Sequence, residues 1–166
     1  MADTKYAVVR LDRMTGTYDG SKLLSAKYYE GNKAADIQNG SVVHITDEIL
    51  DREVFKVTAP TTSDTKATVG LVASVELIKD SCCLVTAIDE FINKANGEPQ
   101  RVYRLETGDI FSVTAEVING KPAKGGYVKL GTTVKWEATN TSDGAIGSII
   151  DTEVVGGKTY YVIVVK

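Results

Sequence analysis

The chain is poor in the residues that build redox and metal sites. Its 166 residues include two cysteines and one histidine. The cysteines, Cys82 and Cys83, are adjacent, and neighbouring cysteines rarely meet the geometry that a disulfide requires. A metal or redox site would need Cys-x-x-Cys spacing with further ligands, and His44 is distant in sequence. The pattern therefore predicts two small, partly buried thiols and neither a metal nor a cofactor.

Long apolar runs and an excess of positive charge are also missing. The longest apolar run, Tyr160–Val165, is far shorter than the roughly 20 residues that cross a bilayer as a helix. The N-terminus, MADTKYAVVRLDRM, has no apolar signal-peptide core, so we expect synthesis and folding in a cytoplasm. Lysine and arginine total 19 against 22 for aspartate and glutamate, a net charge of −3. The composition therefore argues against a membrane partner and against a nucleic-acid partner.

Glycine, by contrast, is abundant and often stands in pairs that favour tight turns. Asn-Gly, Asp-Gly and Gly-Gly pairs separate short β-rich runs such as SVVHI, YVKL and TVKWEAT. Many short strands with glycine turns predict a mainly β protein, an antiparallel β-barrel or sandwich-like domain. The last run, TYYVIVV, is apolar on both faces and follows Gly156-Gly157, which predicts a terminal hairpin whose second strand is central.

One segment departs from the β pattern. In TAIDEFINKANGEP, apolar residues recur at helical spacing from Ile88 to Ala95, and Thr86 and Asp89 have the spacing of a capping box. An Asn-Gly pair and Pro99 then follow, as they often do after a helix. The segment predicts one short helix over about residues 86–96, packed on the barrel and stabilised by that packing.

Residues 1–35 differ in composition from the rest of the chain. Six basic against four acidic side chains give this segment a net charge of +2, and it also contains four tyrosines. Two interpretations are open: an N-terminal arm that lies on a partner, or edge strands of the same domain. Residues 36–166 are predicted to form a β-barrel-like domain with the helix as an insertion.

A faint internal repeat runs through this second part. NGSVVHI resembles GGYVKL, EVFKVTA resembles VKWEATN, and VGLVASVE resembles IGSIIDTE, in the same order along the chain. Apolar alternation recurs in every half-buried strand, so chance similarity is the alternative explanation. A real repeat would give the two halves similar strands, with Phe55 corresponding to Trp136 as a core anchor.

No motif in the chain indicates catalysis. GKPAKGGYVKL has Gly120 and Gly125 at P-loop spacing, but the next residues are not the Lys and Ser/Thr that bind phosphate and magnesium. The acidic cluster DEILDRE (47–53) lacks the spacing of a calcium loop and is predicted to be a solvated connection. His44 stands in an alternating strand with no nucleophile motif nearby. We therefore expect no enzymatic activity and no requirement for a nucleotide.

Three stretches carry a resemblance to a known family: KYAVVRLDRMTGT, DEFINKANGEPQRVYRLETGDIFSVTAE, and GKPAKGGYVKL with IGSIIDTEVVGGKTYYVIVV. Through them the whole chain resembles the head-decoration, or auxiliary capsid, proteins of tailed phages that infect Gram-positive bacteria. The resemblance implies a non-enzymatic β-barrel-like protein on the capsid surface of the virion, where it stabilises the shell. Its partners would be the major capsid protein and other copies of itself.

Two other functions fit the same residues. A tail or baseplate component would share the virion location, and a carbohydrate- or surface-binding β module would suit the aromatic residues. Gene neighbourhood or labelling of the protein on virions would separate these alternatives.

The N-terminal segment is the predicted contact with the capsid, because arginine and aromatic side chains carry much of the energy of protein interfaces. We expect that residues 1–20 can be removed without unfolding the barrel. The predicted contact residues are Lys5, Tyr6, Arg10, Arg13 and Tyr18.

Overall fold

The computed structural model of the chain describes residues 5–76 and 85–166. These residues form two sheets, one of seven strands and one of six, and their helical pieces are short 3-10 helices. The prediction of a mainly β, sandwich-like fold is confirmed. The prediction for Cys82 and Cys83 falls outside the described residues.

The described residues contain 13 strands, which are numbered in chain order. They are β1 (Val9–Arg13), β2 (Leu23–Glu30), β3 (Lys33–Ala34), β4 (Val42–Asp51), β5 (Val54–Thr58), β6 (Val69–Val72), β7 (Gln100–Arg104), β8 (Ile110–Thr114), β9 (Ile118–Asn119), β10 (Tyr127–Leu130), β11 (Trp136–Thr139), β12 (Ala145–Val155) and β13 (Lys158–Val165). The 3-10 helices span Thr15–Thr17, Gly20–Lys22, Val85–Glu90 and Ala115–Val117.

The six-stranded sheet closes on itself. Its order is β3-β2-β5-β4-β6-β7, and β7 also pairs with β2, so that five strands form a small barrel. The pair of β2 and β5 is parallel, and the other four pairs of the barrel are antiparallel. Closure removes the unpaired backbone groups that an open sheet leaves at its edges. Buried side chains pack together in this barrel: Ala26, Tyr28, Ile37, Val43, Ile45, Val57, Val72 and Val102.

The seven-stranded sheet has the order β1-β8-β13-β12-β10-β11-β9. The terminal hairpin is confirmed, since β12 and β13 are antiparallel and joined through Gly156 and Gly157, with φ of 60° and 79°. The prediction that the last strand is central is also confirmed, because β13 pairs with β8 on its other side. β1 is an edge strand of this sheet, and residues 5–35 also supply β2 to the barrel.

The two sheets share a large apolar core. Alternate side chains on a strand point to opposite faces, so Val42 on β4 joins this shared core while Val43 belongs to the barrel cluster. Trp136 and Phe111 are fully buried in it, with ring centroids 5.6 Å apart. The wall of the barrel therefore serves two cores and ties the sheets together.

The helix predicted over residues 86–96 is much shorter than expected. Only Val85–Glu90 is helical, and it is a 3-10 helix. Farther along, the backbone amide of Asn93 donates to the carbonyl of Ile37 at 3.0 Å, and the Asn93 carbonyl accepts from the Ile37 amide at 2.9 Å. These tertiary bonds use the backbone groups that would have continued a helix, so the apolar periodicity is outweighed.

The internal repeat has a structural counterpart. A first unit of strands has the order β2-β5-β4-β6-β7, and a second unit has the order β9-β11-β10-β12-β13. In both units the first pair is parallel and the following three pairs are antiparallel. Apolar and polar residues alternate through DIFSVTAEVI as in one strand, but the 3-10 helix Ala115–Val117 divides this run into β8 and β9. Together β8 and β9 take the place of β2, because β8 pairs with β13 as β2 pairs with β7.

Turn geometry agrees between the units at the level of single hydrogen bonds. Gly40 has φ of 82° and donates its amide to the carbonyl of Val72 at 2.7 Å. Gly125 has φ of 86° and donates its amide to the carbonyl of Ile149 at 2.8 Å. A positive φ is a conformation that glycine adopts without steric cost, so the same requirement places glycine at both points.

The packing of two strand glycines also corresponds. Gly70 lies opposite Val43 on β4, and Gly147 lies opposite Val128 on β10. A Cβ atom at either glycine would lie 2.9 Å from a carbonyl oxygen of the next strand. The units therefore match in strand order, turn geometry and close backbone packing.

The strand register changes one detail of the predicted repeat. Ile45 pairs with Val57 in the first unit, and Leu130 pairs with Trp136 in the second. Val43 and Val128 correspond, because each lies opposite a strand glycine, and Ile45 and Leu130 follow them by two residues. Their partners therefore also correspond, so the counterpart of Trp136 is Val57 and not Phe55. Both Val57 and Trp136 are fully buried, whereas Phe55 is only half-buried.

Candidate functional site

The five predicted contact residues do not form one surface. Lys5 and Tyr6 lie beside the 3-10 helix Val85–Glu90, where the Tyr6 amide donates to the backbone carbonyl of Asp89 at 2.9 Å. The Lys5 amide donates to the Asp89 carboxylate at 3.3 Å. These contacts hold the start of the described chain against the domain.

Arg10 is engaged within the protein. Its guanidinium donates to the Glu153 carboxylate at 3.0 Å and lies 5.2 Å from the centre of the Tyr160 ring. Asp12 lies 3.6 Å from the same guanidinium. Arg10 therefore joins β1 to the β12–β13 hairpin, and a partner would have to displace these contacts to use it.

Arg13 and Tyr18 lie together at the C-terminal end of β1. Arg13 is the last residue of the strand, and Tyr18 follows the 3-10 helix Thr15–Thr17. Both are exposed, and Tyr18 is 84% exposed, the highest value among the large apolar and aromatic residues whose exposure the structure describes. Within the described part of the chain, Arg13 makes no ion pair. The two side chains border a pocket of about 230 Å³. The lining of this Arg13–Tyr18 patch is completed by Thr15, Thr107, Gly108 and Asp109.

The buried carboxylate of Asp109 holds the segments that line the Arg13–Tyr18 patch in place. It is only 2% exposed, and one carboxylate oxygen accepts from the Thr15 amide at 2.8 Å and from the Thr15 hydroxyl at 2.7 Å. The other oxygen accepts from the Glu106 amide at 2.9 Å. A buried carboxylate needs hydrogen-bond donors, and here they come from two segments. The bonds therefore tie the 3-10 helix Thr15–Thr17 to the loop after β7.

The local sequence explains why the chain turns at the patch. Met14 is fully buried and anchors the end of β1, and a Cβ atom at Gly16 would lie 2.7 Å from the Tyr103 ring. The Asp19 carboxylate accepts from the Ser21 amide at 2.9 Å and so caps the second 3-10 helix. These contacts leave Tyr18 between two short turns, with its ring in solvent.

The acidic cluster 47–53 lies at the same end of the molecule. It forms the tip of the β4–β5 hairpin, where Asp47, Glu48, Asp51 and Glu53 are exposed. In the parallel pair of β2 and β5, Ser25 lies opposite Val54. The residues that precede each strand therefore emerge side by side, which brings the hairpin tip next to the 3-10 helices before β2.

His44, the single histidine, anchors a loop. Its Nδ1 atom lies 2.8 Å from the Asp64 carboxylate, which also accepts from the Thr61 amide at 2.7 Å. Burial raises the pKa of Asp64. Hydrogen bonds from Thr61 and Thr68, together with the nearby His44 ring, lower the pKa by more than burial raises it, so the net shift is downward. The arrangement fastens the loop between β5 and β6 to β4.

A partly buried ion pair connects the terminal hairpin to the 3-10 helix Val85–Glu90. The Lys158 ammonium lies 3.1 Å from the Asp89 carboxylate, and both side chains are largely buried. Burial raises the pKa of Asp89, but the hydrogen bonds from Lys158 and from the Lys5 amide outweigh it and place the pKa below its usual value. The ionised carboxylate is therefore favoured in the folded protein.

The Asp89→Asn variant should be less stable at neutral pH by about 1.5–3 kcal/mol, the usual contribution of a hydrogen bond to a charged group. A lowered folded-state pKa stabilises the native state above the unfolded value of about 3.9, and this stabilisation is lost as the pH falls through the folded value. The difference in unfolding free energy between wild type and variant, measured with urea at pH 7 and near pH 3, should therefore shrink in acid. A difference of equal size at both pH values would contradict this role.

Several residues that shape these surfaces could not be identified from sequence patterns. Asp109 and Thr15 are 94 residues apart, and Arg10 and Glu153 are 143 residues apart. Local patterns cannot report contacts over such separations. The positive φ of Arg52, 51°, at the hairpin tip also lacks a sequence signal, since glycine is the residue expected there.

Within residues 5–76 and 85–166, no group of three or more His, Cys, Asp or Glu side chains is arranged to hold a metal ion. The helices in these ranges are too short to cross a membrane. Comparison of the chain with models of protein families, with curated proteins and with solved structures finds no match.

Proposed function

We propose that the protein is a virion component of a phage that decorates and stabilises the outer surface of the capsid by binding the lattice of the major capsid protein. The Arg13–Tyr18 patch is the observation that carries the proposal. It presents an arginine and a tyrosine, two of the residue types that supply most of the energy of protein interfaces. Both are exposed beside a pocket large enough for one side chain of a partner.

The proposal narrows the predicted contact. The Arg10 side chain is bound to Glu153, and Lys5 and Tyr6 lie away from the patch, held to Asp89 by their backbone amides, so we propose Arg13 and Tyr18 as the contact residues. A small contact of this kind suffices on a lattice, because many weak contacts made at once produce strong overall binding. Decoration by a non-catalytic β protein agrees with these surface properties.

Capsids that lack the protein should bind it, and the variants Arg13→Glu and Tyr18→Ala should each bind about tenfold more weakly or worse, as expected for central interface residues. Co-sedimentation with capsids across a concentration series measures the effect. Lys121→Glu is the matched control, because it reverses an exposed charge elsewhere, on the connection between β9 and β10. All three variants should keep the melting temperature of the wild type, since exposed substitutions change stability little.

Removal of residues 1–20 is a poor test, and the expectation that the barrel would stay folded without them conflicts with the structure. This segment supplies Ala7, Val9 and Met14 to the shared core and all of β1 to the seven-stranded sheet. Point substitutions avoid that damage. A wild-type protein that ignores capsids but sediments with tails or with glycans would overturn the proposal.

A further inference from the structure

The two units differ most at one hairpin. Between the paired residues Ile45 and Val57, the first unit has eleven residues, 46–56. Between the corresponding Leu130 and Trp136, the second unit has five residues, 131–135. The second unit therefore completes the same strand circuit with six fewer residues. The six extra residues fall within residues 46–53, the hairpin tip, and the second unit completes its circuit without them.

The hairpin tip is exposed, as predicted for the acidic cluster, and it also carries apolar side chains. It holds four carboxylates and one basic residue, Arg52. Ile49 lies among them with 54% of its surface exposed, and Leu50 is half-buried. Of the acidic side chains, Glu48 is paired with Lys56 at 2.8 Å. Ile49 pairs with Phe55 across the hairpin, yet more than half of its surface stays exposed next to the carboxylates in sequence.

We propose that the hairpin tip is a second contact with the capsid, in which Ile49 enters an apolar site on the major capsid protein that is rimmed by lysine or arginine. Charge complementarity argues for this occupant, because the tip carries a net charge of −3, from four carboxylates and one arginine. An apolar centre within a charged rim is also the usual organisation of a protein interface.

The position of the tip supports the same partner. The hairpin tip and the Arg13–Tyr18 patch emerge at the same end of the molecule, since β2 and β5 run parallel. One surface of the capsid can therefore meet both. Two contacts on one rigid body strengthen each other, because the second forms at a high effective concentration once the first is made. The inference rests on the proposed function and adds the chemistry of a second site to it.

Three variants test the tip in the capsid-binding assay. Ile49→Asp removes the apolar centre, and the double substitution Asp51→Lys with Glu53→Lys reverses the rim. Val154→Asp is the matched control, because this valine is 71% exposed on the tip of a different hairpin. Each tip variant should bind capsids about tenfold more weakly or worse than wild type, and the control should bind as wild type does. The charge variant should also lose most of the salt dependence of binding.

The outcomes separate this inference from the proposed function. If wild type binds capsids, and Arg13→Glu weakens binding while both tip variants bind as wild type, the tip contact is refuted and decoration through the patch stands. If wild type fails to bind, the proposed function itself is refuted. Equal weakening by Val154→Asp would show a general loss of solubility or fold, and it would also count against the tip contact.

Discussion

A chain that lacks residues 160–166 should fail to fold cooperatively. These residues form most of β13, which lies between β12 and β8 in the seven-stranded sheet. Their loss removes several fully or nearly buried side chains, each stabilising by roughly 1.5–3 kcal/mol. The sum approaches the roughly 5–15 kcal/mol that separates a typical folded domain from its unfolded state. The buried side chains lost are Tyr160, Val162, Ile163 and Val165.

Thermal unfolding followed by far-UV circular dichroism is the measurement for this truncation. The wild type should melt in one cooperative transition, and the truncated chain should show none. Val154→Ala is a suitable control, because it changes the same hairpin at an exposed position. A truncated protein that melts like the wild type would show that β13 is dispensable for the fold.

The Trp136→Ala variant should be destabilised by about 3–5 kcal/mol, the usual cost of truncating a buried large aromatic side chain. Trp136 is fully buried and packs against Phe111. Its indole nitrogen also donates to the carbonyl of Gly40 at 3.0 Å, so truncation leaves that buried carbonyl without its donor. The loss therefore combines a cavity with an unsatisfied polar group.

Trp136→Phe separates these two contributions. It keeps most of the apolar volume but removes the donor, so its cost should be smaller, about 1–3 kcal/mol. Urea unfolding followed by circular dichroism measures both variants, because the only tryptophan is absent from each. Equal stability of the two variants would mean that the ring volume of Trp136 contributes nothing.

The parts of the fold that could be predicted depend on neighbours in sequence. The β12–β13 hairpin is an example, because Gly156 and Gly157 join two apolar strands within a short stretch. The segment 86–96 was predicted wrongly as a longer helix, because its outcome depends on Ile37, more than 50 residues away. Local periodicity favours a helix there, and backbone hydrogen bonds to the distant Ile37 decide otherwise.

The candidate surface was predicted only in part for the same reason. Composition identified residues 1–35 as basic and aromatic, but five contact residues could not be ranked without the structure. Arg10 is occupied by Glu153, and Arg13 is free of ion pairs in the described part of the chain, although both are arginines of one strand. The internal repeat could be detected as a weak sequence similarity. Strand register was needed to show that the counterpart of Trp136 is Val57 and not Phe55.

The pairing of β1 with β8 has a consequence for the order of events during synthesis. Val9 pairs with Val113, so β1 leaves the ribosome 104 residues before its partner. At translation rates of about 5–20 residues per second, that strand waits for about 5–20 seconds. The strands of the barrel, β2 to β7, are all synthesised within this interval. The nascent chain therefore carries an unpaired β1, whose Val9 belongs to the shared core, until β8 has been synthesised.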